Sequence, residues 1–323
     1  ASIEDSAILN ADAIDVDAVN TSAIAAVVAA ASAAVGGGQV GVGASIGVSL
    51  SRNLIGYRLG AAPATTYKAG DKFDTDRFIQ LGETVLVEGG INDGDAYEYV
   101  GRDADGNPAP LLLEAGQSVG EKDLRNTDLW RQINLDSDAT NVRARVVDTS
   151  IDAHGTLSVT ATSNQTVEST VLAGSVAVGV GQVGGGISGA GVSTQNQINA
   201  NVEASITGDG TGITVGAVDI DAIDTSTITA TAGAASIAAG FGMVGVSLSL
   251  GVAIAGNSID NRIEAFITGA DDGISAVKGD IDVHASDDST LHVESVAASL
   301  AAAAGLGGVA LAGAGAVAEN VVR

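Results

Sequence analysis

The stretch VDIDAIDTSTITATAGAASIAAGFGMVGVSLSLGVAIAGNSIDNRIEAFI, residues 218–267, decides how this chain folds. Between Thr225 and Ile259 it carries no charged residue, yet it is rich in Gly, Ser and Thr. Within residues 246–254 apolar side chains alternate with Ser, Gly or Ala, and a period of two is typical of a β-strand. Gly240 and Gly242 are natural turn points. The stretch therefore predicts two long strands with a turn between them.

The same pattern recurs along the chain. Four segments share an apolar residue at their first, third and last positions: IDVDAVNTSAI (14–24), LSVTATSNQTV (157–167), VDIDAIDTSTI (218–228) and IDVHASDDSTL (281–291). Further segments begin with an asparagine, mostly in steps of about 60 residues: Asn53, Asn141, Asn201, Asn261 and Asn320. A period of this kind indicates stacked units that bury one another. The sequence therefore predicts an all-β fold, a repetitive array of stacked β-hairpins or a β-solenoid.

One step of the array is too long. The interval from Asn53 to Asn141 contains all four Tyr, the single Trp and all three Pro of the chain, together with most of its basic residues. Such a change of composition within a repeat indicates that a separate small β module is inserted there. We expect repeat units at residues 1–60, 140–200, 201–260 and 261–323, the last running into a further unit, with the module at residues 61–139.

Composition excludes several classes of partner and of site. The chain of 323 residues has 39 acidic and 14 basic residues, a formal net charge of −25, so nucleic acid and anionic lipid would repel it. It has no Cys, which excludes disulfides and thiolate metal sites. Its start shows no signal-peptide pattern, and we expect a segment of a longer protein. The uncharged runs also allow membrane insertion, but their period-two pattern favours buried strands.

A resemblance narrows the class. The segments GDAYEYVG (94–101) and LLLEAGQSVGEKDLRNTDLWRQI (111–133) resemble a module that interrupts Ala-, Gly- and Val-rich repeats in giant bacterial surface proteins of the filamentous-adhesin-like and RTX-adhesin-like type. This resemblance implies an extracellular or cell-surface location and a structural or adhesive role. Such proteins often bind calcium through glycine- and aspartate-rich nonapeptides, and this sequence has no such nonapeptide array.

Calcium is the one cofactor that a local pattern suggests. Asp103, Asp105 and Asn107 alternate as in the start of a calcium loop, and Glu114 stands at the twelfth position of that count. However, Pro108 occupies the sixth position, where such a loop needs glycine. An Asp- and Gly-rich turn is the alternative interpretation of the same residues.

The aromatic residues of the module suggest a ligand site. Tyr97 and Tyr99 share one strand face, and with Trp130 they could form a platform on which sugar rings stack. The same three residues could equally form the core of a small β module, together with Phe73 and Phe78.

Nothing in the sequence supports catalysis. The three histidines, His154, His284 and His292, are expected at solvent-facing strand positions. The glycine-rich segments lack the Lys-Ser/Thr of a phosphate loop. Aspartates recur at similar places in three units, namely Asp15, Asp17, Asp219, Asp221, Asp280 and Asp282, whereas the second unit has Ser158 and Thr160. If the units stack in register, cations bridging these carboxylates would stiffen the array modestly.

These observations predict a structural or adhesive segment of a large exported bacterial protein, acting as a rigid repetitive rod. Its expected partners are neighbouring copies of itself in a filament or tandem array, and surface glycans. The alternatives are a carbohydrate-binding module (61–139) on a repetitive spacer, and a membrane-inserting Ala- and Gly-rich protein. An enzyme is not expected.

Overall fold

A computed structural model describes residues 1–89, 92–102, 107–121, 124, 126 and 128–323. The chain divides into two compact units, one formed by residues 1–56 and 139–323 and the other by residues 57–138. We call the first the stack and the second the module.

The strands of the first part of the chain are β1 (Ser2–Glu4), β2 (Ala7–Ala11), β3 (Ile14–Asn20), β4 (Ala23–Gly37), β5 (Val40–Ile55), β6 (Tyr57–Leu59), β7 (Tyr67–Lys68), β8 (Arg77–Ile79), β9 (Thr84–Leu86), β10 (Ala96–Tyr99), β11 (Leu111–Leu113), β12 (Trp130–Gln132) and β13 (Leu135–Ser137), with a 3₁₀ turn at Val119–Glu121. The remaining strands are β14 (Thr140–Val147), β15 (Ser150–Ala153), β16 (Thr156–Ser163), β17 (Thr166–Val180), β18 (Val183–Thr207), β19 (Ile213–Val215), β20 (Ala217–Asp224), β21 (Thr227–Phe241), β22 (Val244–Thr268), β23 (Ile274–Ala276), β24 (Ile281–Asp287), β25 (Thr290–Ala304) and β26 (Gly307–Val322).

The stack is a β-solenoid, as the sequence predicted. Its strands form four layers, or rungs, and each strand pairs in parallel with the equivalent strand of the next rung, in register except for a shift between β2 and β15 at Asp152–Ala153. Rung 1 is β1–β5, rung 2 runs from β14 into β18, rung 3 from the end of β18 to β22, and rung 4 from the end of β22 to β26. The two long strands of a rung, such as β4 and β5, do not form a hairpin, because each hydrogen-bonds to its equivalents in a different sheet.

The repeat inferred from the apolar pattern is confirmed residue by residue. Leu157 pairs with Ile14 and Val218, and Val218 pairs with Ile281, so the four aligned segments stack on one another. The asparagine pattern was partly wrong. Asn53 stacks on Asn196, Asn257 and Asn320 at separations of 143, 61 and 63 residues, whereas Asn141 pairs with Asn201 in a different row, and Asn261 lies opposite Ala200.

The module is inserted between β5 and β14, at a position where the equivalent strands of the other rungs, β18 and β22, continue without a break. Strand β5 ends at Ile55 opposite Ile198, and β14 begins at Thr140 opposite Ala200. Gly56 has a φ of 74°, and a Cβ there would lie 1.9 Å from the carbonyl oxygen of Asn199. Only glycine therefore fits this departure point.

The interior of each rung tapers toward the turn between its two long strands. At the wide end, one cluster contains Val167, Ile198, Ile228 and Ile259, all fully buried. Farther along, alanines dominate the cluster between the sheets. Near the turn glycine is required, since a Cβ on Gly179 would lie 1.9 Å from the carbonyl oxygen of Gly185. The Ala- and Gly-rich composition thus lets two sheets converge.

Corners between shorter and longer strands are made by Asx and Ser residues. Asn20 Oδ1 accepts hydrogen bonds from the backbone N–H (3.2 Å) and hydroxyl (2.8 Å) of Ser22. Two rungs later, the buried Asp224 accepts the same pair from Ser226 and a further bond from the Ser289 hydroxyl. Short polar side chains that bond their own backbone favour such bends.

The module has its own small sheets and core. Its described strands form a sheet in the order β12-β10-β9-β7 and two pairs, β11 with β8 and β13 with β6. Its buried side chains are Tyr67, Ile79, Val85, Tyr97, Tyr99, Leu113, Val119 and Trp130. Phe73 packs against them, whereas Phe78, which the sequence also assigned to the core, is exposed.

Candidate interaction surfaces

The three aromatic residues expected to bind a ligand lie together inside the module. Tyr97, Tyr99 and Trp130 are 6%, 2% and 1% exposed. The Tyr99 and Trp130 rings meet edge to face at 5.1 Å, and burial raises the pKa of the Tyr99 hydroxyl, which donates to the Ala109 carbonyl at 2.9 Å. A sugar ring stacks on an exposed ring face, so this arrangement matches the core role that the sequence also allowed.

The proposed calcium ligands are only partly visible. Asn107 is exposed, whereas Asp103 and Asp105 lie outside the described residues. Elsewhere in the described chain, no three His, Asp or Glu side chains form a group that could hold a metal ion. Calcium binding therefore stays a prediction from the sequence.

The acidic rows of the stack are shorter than the sequence suggested. Asp219 lies directly opposite Asp282, but Asp221 lies opposite His284, so Asp280 has no place in the row. On the other side, Ser158 and Thr160 separate these residues from the aspartates of rung 1. Desolvation raises the pKa of the Asp221 carboxyl, and the neighbouring Asp219 adds to the effect, while His284 opposes it. In this sheet, aspartates of neighbouring rungs thus lie opposite each other only between rungs 3 and 4.

A row of asparagines links all four rungs; Asn53, Asn196 and Asn257 are buried, and Asn320 in rung 4 is exposed. The Nδ2 atom of Asn53 donates to Oδ1 of Asn196 at 2.7 Å, Asn196 donates to Asn257 at 2.7 Å, and Asn257 donates to Asn320 at 3.0 Å. We call these four residues the asparagine ladder. Because the side chains repeat at the rung spacing, every amide can bond to the next one. The sequence showed all four asparagines but did not group them.

Serines join the two long sheets across the interior. Ser175 and Ser188 hydroxyls lie 2.7 Å apart, and Ser236 and Ser249 lie 2.6 Å apart, all four buried. A hydroxyl pair fits where two sheets are too close for larger side chains, and each hydroxyl satisfies the other.

One cluster of charge stabilises the outer surface of rungs 2 and 3. Glu203 lies 2.7 Å from the Arg145 guanidinium and 3.4 Å from Arg143. Desolvation pushes the pKa of the Glu203 carboxyl upward, but hydrogen bonds from Arg145 and Ser205 and the charges of both arginines outweigh it, so the pKa is lowered.

The long strands carry aliphatic side chains on the outside as well. Outward-facing residues of β5, β18 and β22 include Ile46, Val48, Ile187, Val246 and Leu250, each about half exposed or more. A face of this size without charge is unusual on a soluble protein surface. Within the described residues, no helix has the length and apolar character needed to cross a lipid bilayer.

No family model, curated protein or solved structure matches this chain.

Proposed function

We propose that this chain is a structural and adhesive segment of a large exported bacterial protein, located at the cell surface or in an extracellular filament. The observation that supports it best is the asparagine ladder within four in-register rungs. A solenoid held by repeated backbone pairing and a continuous side-chain ladder resists bending and local opening. Such a structure serves as a rigid spacer, and it needs no reaction centre; we propose no enzymatic role.

The proposed partners are further copies of the same kind of rung, in a tandem array or in a neighbouring chain. In rung 4, β26 pairs with β22, and in rung 1, β5 pairs with β18; no other described strand pairs with either. The asparagine ladder has a direction, since the Nδ2 atoms of Asn53, Asn196 and Asn257 each donate to the following rung. A rung added beyond Asn320 would accept its hydrogen bond, and a rung added before Asn53 would donate one. Head-to-tail addition therefore continues both the backbone and the side-chain pairing.

Glycan binding is a weaker proposal for the module. With Tyr97, Tyr99 and Trp130 buried, a sugar would need another surface of the module. The exposed Phe78, opposite Leu112 in the β8–β11 pair, is an apolar group of the required kind. A glycan array probed with the whole chain and with Phe78→Ala tests this proposal.

Head-to-tail stacking is testable by electron microscopy and sedimentation of the purified chain. We expect threads whose length grows with protein concentration. Ala316→Asp places a carboxylate on the inward face of β26, where it is exposed in the free chain but would be buried by a following rung. We expect this variant to abolish threads, because a buried unpaired carboxylate is strongly unfavourable.

The matched control is Ala298→Asp on the outward face of β25, which stays exposed in both states. This variant should form threads like the parent chain. Absence of threads from the parent chain at every concentration, or equal effects of the two variants, would contradict head-to-tail stacking. Antibody labelling of intact against permeabilised source cells tests the location separately, and labelling seen only after permeabilisation would contradict it.

A further inference from the structure

The outward face of the sheet formed by β5, β18, β22 and β26 is apolar over most of its length. We call this surface the outer face and define it by the outward side chains of residues 40–50, 183–193, 244–254 and 307–317. It presents Val40, Val42, Ala44, Ile46, Val48, Leu50, Val183, Gly185, Ile187, Gly189, Gly191, Ser193, Val244, Val246, Leu248, Leu250, Val252, Ile254, Gly307, Val309, Leu311, Gly313, Gly315 and Val317. Ser193 is its one polar side chain. The first charges appear beyond it, at Arg52 and Glu319.

The arrangement inverts the usual one. In the half of the stack nearest the turn, glycine, alanine and paired serines such as Ser175 and Ser188 lie between the two long sheets, while branched aliphatic side chains such as Ile187 and Leu250 point outward. Leu250 and Ile187 are each 50% exposed, although they lie in rungs 2 and 3, which are covered by other rungs on both sides. Their exposure therefore does not arise from an open rung, and it leaves apolar surface in contact with water.

The outer face is large enough to hold a stable contact. Eleven residues extend about 36 Å along each strand, and four strands span about 19 Å, which gives about 680 Å². A standard protein interface buries about 800 Å² on each partner. Apolar patches on monomeric proteins rarely exceed a few hundred Å². The face alone therefore approaches one side of a specific interface.

The relief of this face is complementary to itself. Rung 3 presents an unbroken ridge that includes Val246, Leu250 and Val252, whereas rung 2 presents a trough at Gly189 and Gly191. A Cβ at Gly191 would meet nothing within 4 Å, and one at Gly189 would only touch Ile46 at 4.0 Å, so the trough is open. Rungs lie about 4.8 Å apart, so ridge and trough are side by side. A second copy turned by a two-fold axis can place its ridge in this trough.

We propose that the outer face binds the outer face of a second copy of this chain, as a lateral contact that is distinct from head-to-tail stacking. The proposal rests on the proposed scaffolding function and adds a second direction of assembly to it. The contact is free of charge, so the net charge of −25 does not oppose it locally. It also leaves the unpaired edges of rungs 1 and 4 in water.

A lipid bilayer is the other apolar partner, and the structure favours it less. Inserted into hydrocarbon, the edge N–H and C=O groups of β5 and β26 would lose water without gaining a partner, which is strongly unfavourable. The acidic chain would also be repelled by anionic headgroups. A second outer face imposes neither penalty.

Sedimentation equilibrium of the whole chain carrying Ala316→Asp, which blocks head-to-tail growth, tests the lateral contact alone. We expect a monomer–dimer equilibrium. Leu250→Gln should weaken the dimer about tenfold or more, because the two-fold axis places the change twice in the contact. The control is Ile237→Gln on the opposite outer surface of rung 3, where the side chain is 43% exposed, and it should leave the dimer unchanged.

A second variant separates shape from hydrophobicity. Gly191→Val has room in the single chain, and its neighbours in the row are Val48 and Val252, so the fold should tolerate it. It makes the face more apolar but fills the trough. We expect a loss of dimer as large as that of Leu250→Gln.

Three outcomes would overturn the lateral contact. The first is a chain that stays monomeric up to its solubility limit. The second is an equal effect of Leu250→Gln and Ile237→Gln. The third is flotation with phosphatidylcholine vesicles that Gly191→Val strengthens and Leu250→Gln weakens, which would identify lipid as the occupant. Threads without lateral dimers would contradict the lateral contact and leave head-to-tail stacking standing. Lateral dimers without threads would contradict head-to-tail stacking and leave the lateral contact standing.

Discussion

Removal of one amide from the asparagine ladder should measure how much the ladder stabilises the stack. Asn196 is fully buried in rung 2, accepts a hydrogen bond from Asn53 and donates one to Asn257, both at 2.7 Å. Asn196→Ala removes both bonds. Each is worth about 1 kcal/mol net, and a buried group left without its partner adds about 1–3 kcal/mol. Asn53 keeps a bond to the Ser51 hydroxyl at 3.2 Å, so Asn257 Oδ1 bears most of the loss.

The expected destabilisation is therefore about 3–5 kcal/mol, a large part of the stability of a typical domain. Urea unfolding followed by circular dichroism measures it, and hydrogen exchange shows whether protection falls most beside the missing amide. The matched control is Asn201→Ala in the same strand. Its Nδ2 makes an exposed bond of 3.5 Å to Asn141, so we expect a loss below about 0.5 kcal/mol.

Asn196→Asp sharpens the test. It keeps the size of the side chain and its acceptor oxygen, but it cannot donate to Asn257 when ionised. We expect it to be less stable than Asn196→Ala at neutral pH and to recover partly in acid, where the protonated carboxyl donates again. Equal midpoints for Asn196→Ala and Asn201→Ala would refute the reasoning, because the ladder would then add nothing beyond backbone pairing.

Three further substitutions follow from the packing and the charges of the stack. Gly179→Ala should destabilise the chain by about 1–3 kcal/mol in urea unfolding, because its Cβ would lie 1.9 Å from a carbonyl oxygen. The control, Gly174→Ala in the same strand, has its nearest atom at 4.0 Å and should be neutral or slightly stabilising. Equal effects of the two variants would contradict the convergence of the sheets. Glu203→Gln should lower the melting temperature at neutral pH, because a carboxyl whose pKa is lowered in the folded state stabilises the fold above its ordinary pKa of 4.5. This stabilisation is lost as the pH falls. A difference in melting temperature between the variant and the parent chain that persists in strong acid would argue against the ion pair. Asp221→Asn should have the opposite effect, because a carboxyl whose pKa is raised in the folded state destabilises the fold above that pKa, and this penalty is relieved as the pH falls toward 3.8. The variant should therefore have a higher melting temperature at neutral pH and show no gain in acid. A lower melting temperature at neutral pH would refute repulsion with Asp219.

The strand pattern and the repeat could be predicted because both leave a strong periodic trace. Val246, Leu248 and Leu250 alternate with small residues, and IDVDAVNTSAI has equivalents in every rung, so parallel stacking follows from the need to bury similar faces on one another. Register could be predicted within the aligned segments for the same reason.

The asparagine rows could not be separated from spacing alone. Asn53 and Asn141 flank the module, and both are followed by a branched aliphatic residue, so they look equivalent in the sequence. Only the direction of the side chain distinguishes them, since Asn53 points inward and Asn141 outward. Direction alternates at every residue of a strand, so an error of one position exchanges a buried ladder for a surface row.

The inverted surface was also outside what the pattern could show. Alternation of Val and Gly predicts that one face is buried, and the larger side chains are the usual candidates. Near the turn of each rung the smaller ones are inside, because the sheets approach until a Cβ on Gly184 would lie 2.3 Å from the Phe241 carbonyl oxygen. That distance depends on the partner sheet, which local sequence does not reveal.

The place where the module joins the stack has a consequence for how such chains can be decorated. The module takes the place of a single residue between rungs 1 and 2, opposite Asn199, and the strands before and after it keep their register. Consecutive attachment points of this kind would be separated by about 4.8 Å along the axis, whereas a globule of this length is about 30 Å across. Neighbouring coils therefore cannot both carry one on the same side. Inserted modules of this size must therefore be spaced by about six rungs, so most rungs of any longer solenoid of this kind must carry no insertion.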